Sequence, residues 1–200
     1  MLKKEAEKVF SRVWTVPNVL TILRLLLIPV FVIFYVNGSP KISLAVFIAA
    51  SLTDLVDGYL ARKLNQITDF GKLFDPLADK LMVLTALACQ GFAGVLPWAA
   101  ILIVAAKELI MVCGGLFMLH QDIVVYSNIV GKTAQALFIA TLILSFFHEE
   151  FAAMGTRWDL ILLWITVVLT LIAMITYITG AVRDYFAKKR GDAPTVYRQQ

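Results

Sequence analysis

Paired carboxylates stand out in one stretch, Ser51 to Lys80, of a chain that is otherwise mostly apolar. The stretch holds five of the fourteen acidic residues, and four of these form two pairs, Asp54 with Asp57 and Asp75 with Asp79. Spacings of three and four residues place side chains on one face of a helix. If two such helices pack side by side, four carboxylates converge and repel one another unless cations lie between them. Because carboxylate oxygens suit hard divalent cations, the pattern predicts a magnesium or manganese site.

The two pairs belong to a longer pattern of fixed spacing. The stripe of the first pair continues into two very small residues and an arginine, and a glycine lies four residues before the second pair. The pattern is D-x2-D-G-x2-A-R-x8-G-x3-D-x3-D, filled by Asp54, Asp57, Gly58, Ala61, Arg62, Gly71, Asp75 and Asp79. The small residues leave room for a nucleotide diphosphate against the helix backbone. Close packing of a second helix is the alternative, and it does not explain the carboxylates on the same face.

This pattern resembles the signature of the CDP-alcohol phosphotransferases, integral membrane enzymes of phospholipid synthesis. The segment Pro17 to Pro29 is also similar to the branch that uses glycerol 3-phosphate, the bacterial phosphatidylglycerophosphate synthases. Together the matching parts cover roughly the first 80 residues. The resemblance implies transfer of a phosphatidyl group from CDP-diacylglycerol to glycerol 3-phosphate, with release of CMP and with two Mg²⁺ or Mn²⁺ ions in the active site.

The resemblance also implies a role for individual residues. Asp54 and Asp75 would bridge both metal ions, Asp57 would complete one metal site, and Asp79 would complete the other. Asp79 would in addition be the catalytic general base that takes the proton of the acceptor hydroxyl. The proposed CDP-lipid-binding residues are Asn18, Thr21, Gly58, Ala61, Arg62 and Thr68.

The first helix leaves a second interpretation open. Asn18 and Thr21 lie on one side of its cytoplasmic end, where polar residues can also serve as interfacial caps. Arg24, just beyond them, is a charge inside a membrane helix and is expected to pair with an acid or a phosphate.

The acceptor is specified less sharply than the donor. An acceptor that carries a phosphate needs fixed cations, and Lys107, Lys132 and Arg183 are predicted near the cytoplasmic side. Lys107 precedes Glu108, so an internal salt bridge that holds helices together is the alternative for this lysine. That branch more often has Arg-Glu at this point. An acceptor such as phosphatidylglycerol, in a cardiolipin-synthase-like enzyme, or inositol phosphate or serine therefore remains open.

Composition predicts an all-α integral membrane protein. The chain has 200 residues, of which 60% are hydrophobic, and its mean hydropathy is +0.82. Apolar runs of about 20 residues can cross a bilayer as helices. Six transmembrane helices are predicted, at 17–37, 42–63, 71–91, 97–119, 128–147 and 159–187. The expected organisation is a juxtamembrane amphipathic helix at 1–14, a catalytic domain at 15–187 and a basic, disordered cytoplasmic tail at 188–200. A solvated, frayed terminus is the alternative for segment 1–14.

Charge distribution predicts the orientation and limits the partners. Basic residues concentrate at both termini and beside the motif, so the positive-inside rule places these regions on the cytoplasmic side of the cell membrane. The net charge of +4 then reflects topology and attraction to anionic lipids, and nucleic-acid binding is not expected. The resemblance implies a homodimer.

Two other classes of membrane protein also place acids in helices. A membrane prenyltransferase sets aspartate pairs around magnesium diphosphate, but it has no place for the small residues and arginine of this motif. A cation-coupled transporter would more often show repeat symmetry and acids near the midplane. Metal-dependent release of CMP from CDP-diacylglycerol distinguishes these classes.

Overall fold

A computed structural model describes the chain over residues 15–63, 69–120 and 129–190. Within these ranges it describes the backbone but not the side chains at 16, 17, 54–63, 69–73, 75, 76, 116, 119 and 120. The described part is helical, as predicted: α1 (Val16–Val36), α2 (Pro40–Lys63), α3 (Asp69–Phe92), α4 (Trp98–His120), α5 (Ile129–Leu144), α6 (His148–Ala153) and α7 (Trp158–Arg190). A 3₁₀ turn at Ser145–Phe147 links α5 to α6. The chain divides into two compact units, one up to Val95 and one from Leu96.

In the first unit α1 packs against α2 and α3, and α2 also contacts α3. The sequence Asn-Gly-Ser-Pro at 37–40 predicts a turn between α1 and α2, and the structure confirms it: Gly38 has a φ of +73°, which favours glycine, and α2 begins at Pro40. The Ser39 carbonyl accepts hydrogen bonds from the first free N–H groups of α2. So short a turn makes α1 and α2 antiparallel neighbours.

Two contacts show which residues of α1 and α2 face each other in this antiparallel pair. The Arg24 Nε donates to the Ala50 carbonyl at 3.3 Å, and the rings of Phe31 and Phe47 lie 6.2 Å apart. Facing residue numbers therefore add up to 74 at the first contact and 78 at the second. Both values agree with a turn centred on Gly38, so the register is consistent along the pair.

The second unit is built around α7. It packs against α4, α5, the 3₁₀ turn and α6. The helical run from α5 to α6 buries residues at helical spacing: Ala134, Phe138, Thr141, Leu142 and Ser145. The buried face of α7 follows the same period, with Asp159, Leu163, Thr166, Val167, Thr170 and Ala173. This spacing is typical of neighbouring helices that pack along their length.

Four described helical segments are long and apolar enough to cross a membrane: Asn18–Val36, Trp98–Gly115, Ile129–Ala153 and Trp158–Arg190. Many of their large apolar side chains are exposed, as expected for surfaces that face lipid. In α2 the mostly apolar stretch Pro40–Thr53 is shorter than these segments, and the motif acids follow it from Asp54 in the sequence. The protein is therefore a multi-pass membrane protein by composition, and the count of six spans stays a prediction.

The ends of the helices differ from the prediction in three places. α7 continues to Arg190, so disorder from Lys188 was wrong for the first three residues of the tail. Its last turn is basic, which stabilises the negative end of the helix dipole, and Gly191 follows. α3 begins at Asp69 rather than at residue 71. The predicted fifth helix is divided by the 3₁₀ turn. The amphipathic segment 1–14 and the tail from 191 lie outside the described residues.

An ion pair holds the start of α7. Arg157 Nε and Nη2 donate to the two carboxylate oxygens of Asp159 at 2.9 and 2.7 Å. Asp159 is fully buried, whereas about a third of the Arg157 side chain is exposed. The hydrogen bond to Asp159 raises the pKa of Arg157, although burial opposes the shift.

Replacing Arg157 by alanine should destabilise the protein, because it leaves a buried carboxylate without its bidentate partner. We expect a loss of about 1–3 kcal/mol, less than for a fully buried pair because Arg157 is partly exposed. The measurement is the thermal unfolding temperature in detergent. Arg157→Lys is the matched control, since it keeps the charge but loses the fork; equal unfolding temperatures for all three proteins would contradict the role of the pair.

Candidate metal and substrate site

The structure places the eight motif positions on two helices that touch each other. Five of them lie in the second half of α2, and Gly71, Asp75 and Asp79 lie in the first half of α3. Because both segments are helical, each aspartate pair shares one helix face. The side chains of Asp54, Asp57 and Asp75 lie outside the described side chains. The structure thus confirms the neighbouring helices, and the convergence of the carboxylates stays a prediction.

Asp79 is the motif aspartate whose side chain is described. It lies beside the buried Ala78, and 25% of its own side chain is exposed. Its Oδ2 lies 3.7 Å from the Nζ of Lys80, the next residue in the chain. Ion pairs of this kind are weak, so they do not prevent the carboxylate from engaging a stronger ligand. The sequence interpretation did not consider Lys80, although its position next to a proposed base was visible.

The first helix presents a buried polar stripe on the side that packs against the motif helices. Asn18, Thr21 and Arg24 recur every three residues, and none is more than 1% exposed. Polar side chains that are buried to this extent cost free energy unless they bind a partner. The cap of α1 is Thr15, whose Oγ1 accepts from the Asn18 N–H. Because Thr15 already supplies the cap and Asn18 is buried, capping does not explain Asn18 or Thr21.

The register of α1 and α2 shows where this stripe lies relative to the motif. With facing numbers adding up to between 74 and 78, Thr21 lies level with positions 53–57 and Asn18 with positions 56–60. These ranges contain the helix positions of Asp54, Asp57 and Gly58. Asn18 and Thr21 are therefore at the height of the motif, as a role in CDP-lipid binding requires. Thr68 lies outside the described residues.

The three predicted acceptor cations differ from one another. Lys107 is only 7% exposed, and its Nζ forms an ion pair with Glu108 on the same helix. It lies within the apolar part of α4, and its expected place near the cytoplasmic side stays a prediction. The pair is internal to α4, and the predicted salt bridge between helices is not what this contact shows.

Lys132 and Arg183 fit an acceptor role better, because both are exposed. Lys132 is near the start of the helical run that ends at Ala153, and Arg183 is near the end of α7. The run and α7 are joined by a short turn, so these two residues lie about 31 and 37 Å along their helices from that turn. The two cations are therefore at similar heights in the second unit.

The donor chemistry fits a divalent metal ion. Four carboxylates and no sulfur or imidazole at the motif positions form a set for hard cations such as Mg²⁺ or Mn²⁺. The described side chains do not include those of Asp54, Asp57 and Asp75, and among the described ones no group of three or more His, Cys, Asp or Glu residues could hold a metal ion. The proposed ligands are Asp54, Asp57, Asp75 and Asp79.

Comparison with known proteins shows the family. The profile of the CDP-alcohol phosphatidyltransferases matches residues 14–172, which include every motif position and the polar stripe of α1. The chain belongs to the CDP-alcohol phosphatidyltransferase family. Members of this family generally use divalent metal ions, in agreement with the predicted kind of site.

Three bacterial relatives of this chain have the same name. A Bacillus subtilis protein is 33% identical over 178 residues, covering 80% of this chain and 91% of its own length. A Rickettsia typhi protein is 54% identical over 70 residues, 34% of this chain, and a Cereibacter sphaeroides protein is 44% identical over 90 residues, 42% of this chain. Each is named a CDP-diacylglycerol--glycerol-3-phosphate 3-phosphatidyltransferase. The aligned part of the chain spans 39% of the length of the Rickettsia protein and 41% of the Cereibacter protein.

Proposed function

We propose that this protein transfers the phosphatidyl group of CDP-diacylglycerol to glycerol 3-phosphate, giving phosphatidylglycerophosphate and CMP. The observation that carries the proposal is the full motif on two touching helices, with the buried stripe of α1 at the same height. The choice of acceptor is supported by the name of the Bacillus subtilis relative, which aligns over most of both chains.

The chain's own residues divide the work of the proposed reaction. Gly58 has no side chain and Ala61 only a methyl group, so both leave room for the diphosphate, and Arg62 pairs with it. Bound divalent ions supply positive charge to the attacking and leaving oxygens. The acceptor hydroxyl oxygen bonds to the lipid-side phosphorus while the bond from that phosphorus to the bridging oxygen breaks. The electron pair leaves with CMP, and a carboxylate oxygen of Asp79 takes the hydroxyl proton.

The proposal is tested by offering purified protein CDP-diacylglycerol with one acceptor at a time. We expect phosphatidylglycerophosphate and an equal amount of CMP with glycerol 3-phosphate and Mg²⁺, and loss of both products when a chelator is added. Serine, inositol phosphate and phosphatidylglycerol are the comparison acceptors. Turnover with phosphatidylglycerol alone would assign a cardiolipin-forming reaction to the protein instead.

Replacing Lys132 or Arg183 by alanine should chiefly raise the KM for glycerol 3-phosphate. Each exposed cation is proposed to bind the acceptor phosphate, and loss of one charge-assisted contact should raise KM roughly 10- to 100-fold. Lys188→Ala is the matched control, because Lys188 is also an exposed cation of α7 but was not assigned to the acceptor. An unchanged KM in both Lys132→Ala and Arg183→Ala, with folded protein, would remove these residues from acceptor binding.

Lys107 needs a different test because of its ion pair. Its proposed contact with the acceptor would have to replace the carboxylate of Glu108, so Lys107→Ala leaves a buried negative charge. The double replacement Lys107→Met with Glu108→Met removes both charges together. An acceptor KM equal to that of the parent in the double variant would restrict Lys107 to a structural role.

The remaining proposals concern the whole assembly. We propose six membrane spans, with both termini and the motif facing the cytoplasm, and a homodimer. The basic residues at the end of α7 support this orientation. Cysteine labelling from either side of sealed membrane vesicles tests the sidedness, and a label at residue 190 that is accessible only from outside the cell would contradict it.

A further inference from the structure

One buried charge in the first unit has no role in the reaction described so far. Arg24 is 1% exposed and lies inside the apolar segment Asn18–Val36. A guanidinium inside a membrane helix is costly, so its position usually reflects a specific task. Its Nε donates to the carbonyl of Ala50 on α2, a residue 26 positions away in the chain.

The carbonyl that Arg24 contacts occupies a special place in α2. In a regular helix the carbonyl of residue 50 accepts from the N–H of residue 54, the first motif aspartate. Ala50 itself is fully buried, and its carbonyl also accepts from the Thr53 Oγ1 at 2.6 Å. Arg24 therefore binds a backbone carbonyl of α2 about one helical turn before the motif begins.

The neighbouring turns of α1 lead to the same part of α2. Thr21 and Asn18 are one and two turns nearer the start of α1, and the register puts them level with the first two motif aspartates. A shift of α1 along α2 would change the height of both side chains relative to the motif. The Arg24 contact is the polar link between α1 and α2 that lies nearest to this level among the hydrogen bonds described above.

We propose that Arg24 is a positioning residue of the metal site. By holding the Ala50 carbonyl it fixes the backbone that carries Asp54 and the register that brings Thr21 and Asn18 to the motif. The inference rests on the proposed function for the identity of the metal ligands, and it adds a residue to which no part of the reaction has been assigned. In this role Arg24 acts through the backbone of α2.

Mn²⁺ binding to the full-length protein in lipid nanodiscs tests the inference. Free Mn²⁺ is measured by electron paramagnetic resonance without CDP-lipid or acceptor, and the unfolding temperature is recorded in parallel. Arg24→Met removes both the charge and the Nε donor, and it should raise the Kd for Mn²⁺ about 10-fold or more, as loss of a group that orients metal ligands typically does.

Phe31→Leu is the matched control. Phe31 is fully buried on the same helix and packs against Phe47 of α2, away from the motif. It should lower the unfolding temperature and leave the Kd within about 2-fold, because it loosens the pair without changing a ligand position. If Arg24→Met does not fold, Arg24→Lys replaces it; the shorter ammonium keeps the charge but not the guanidinium geometry, so the Kd should still rise.

The measured Kd values decide whether Arg24 positions the metal site. A Kd for the Arg24 variant less than about 3-fold above the parent, or an equal rise in Phe31→Leu, overturns the positioning role. Tighter Mn²⁺ binding also overturns it, because that result means Arg24 only repels cations. A parent protein that binds Mn²⁺ but makes no phosphatidylglycerophosphate refutes the proposed acceptor and leaves the inference standing; a parent that binds no Mn²⁺ refutes both.

Discussion

Replacing Asp79 by asparagine should abolish phosphatidyl transfer and leave CDP-lipid binding largely intact. Asparagine keeps the shape and one oxygen of the side chain but removes the site that accepts a proton. The expected loss is at least the ~10²- to 10⁴-fold that a general base supplies. The exposed quarter of the Asp79 side chain is consistent with a carboxylate that reaches an acceptor.

Equilibrium binding of CDP-diacylglycerol and single-turnover release of CMP measure the two halves of this prediction. Lys80→Met is the control, because it removes the cation beside Asp79 and keeps the carboxylate. Both side chains of this pair are only partly exposed, and an ion pair between neighbouring side chains near the surface is worth about 0–1 kcal/mol, so the control should lose no more than about 5-fold. Turnover of Asp79→Asn within about 10-fold of the parent would show that Asp79 is not the base.

Replacing Asp75 by asparagine should have the second large effect, on metal binding. As a proposed bridge between two ions, this carboxylate compensates more positive charge than a ligand to one ion does. Loss of an outer-shell partner lowers metal affinity about 10- to 100-fold, and we expect the loss of Asp75 to lower the Mn²⁺ affinity by more than that. Turnover should fall with it, and high Mg²⁺ should recover only part of the rate.

The metal dependence of turnover, together with Mn²⁺ binding, checks this prediction. Asp69→Asn is the matched control, since Asp69 is an acid on the same helix and is not part of the motif. It should behave like the parent in both measurements. Equal metal requirements for Asp75→Asn and Asp69→Asn would remove Asp75 from the metal site.

Short-range patterns were the part of this molecule that sequence could predict. The spacing of the aspartates placed them on two helices, and the Asn-Gly-Ser-Pro run predicted the turn at Gly38. Both depend on a few neighbouring residues and on the fixed geometry of a helix or a turn. The same is true of the family assignment, which the motif carried.

Contacts that depend on how side chains pack in three dimensions were harder to predict from the sequence. A charge in the first helix predicted a partner for Arg24, but no sequence pattern identifies a backbone carbonyl 26 residues away. Likewise, Lys107 and Glu108 could have faced different neighbours, and only their positions in α4 show that they pair with each other. Helix ends also shifted by two or three residues, because fraying and capping are balanced by small free energies.

α1 is more apolar along its length than α2, and this difference affects how the chain inserts into the bilayer. α1 has a full apolar segment and is synthesised first, whereas the second half of α2 carries Asp54, Asp57 and Arg62. α2 alone is thus a poor substrate for membrane insertion. An α1 that is already in the membrane offers α2 a buried polar face. Its Arg24 guanidinium donates a hydrogen bond to the Ala50 carbonyl. The first two helices would then insert as a hairpin, so that biogenesis of the membrane protein and assembly of its acidic site would depend on the same interface.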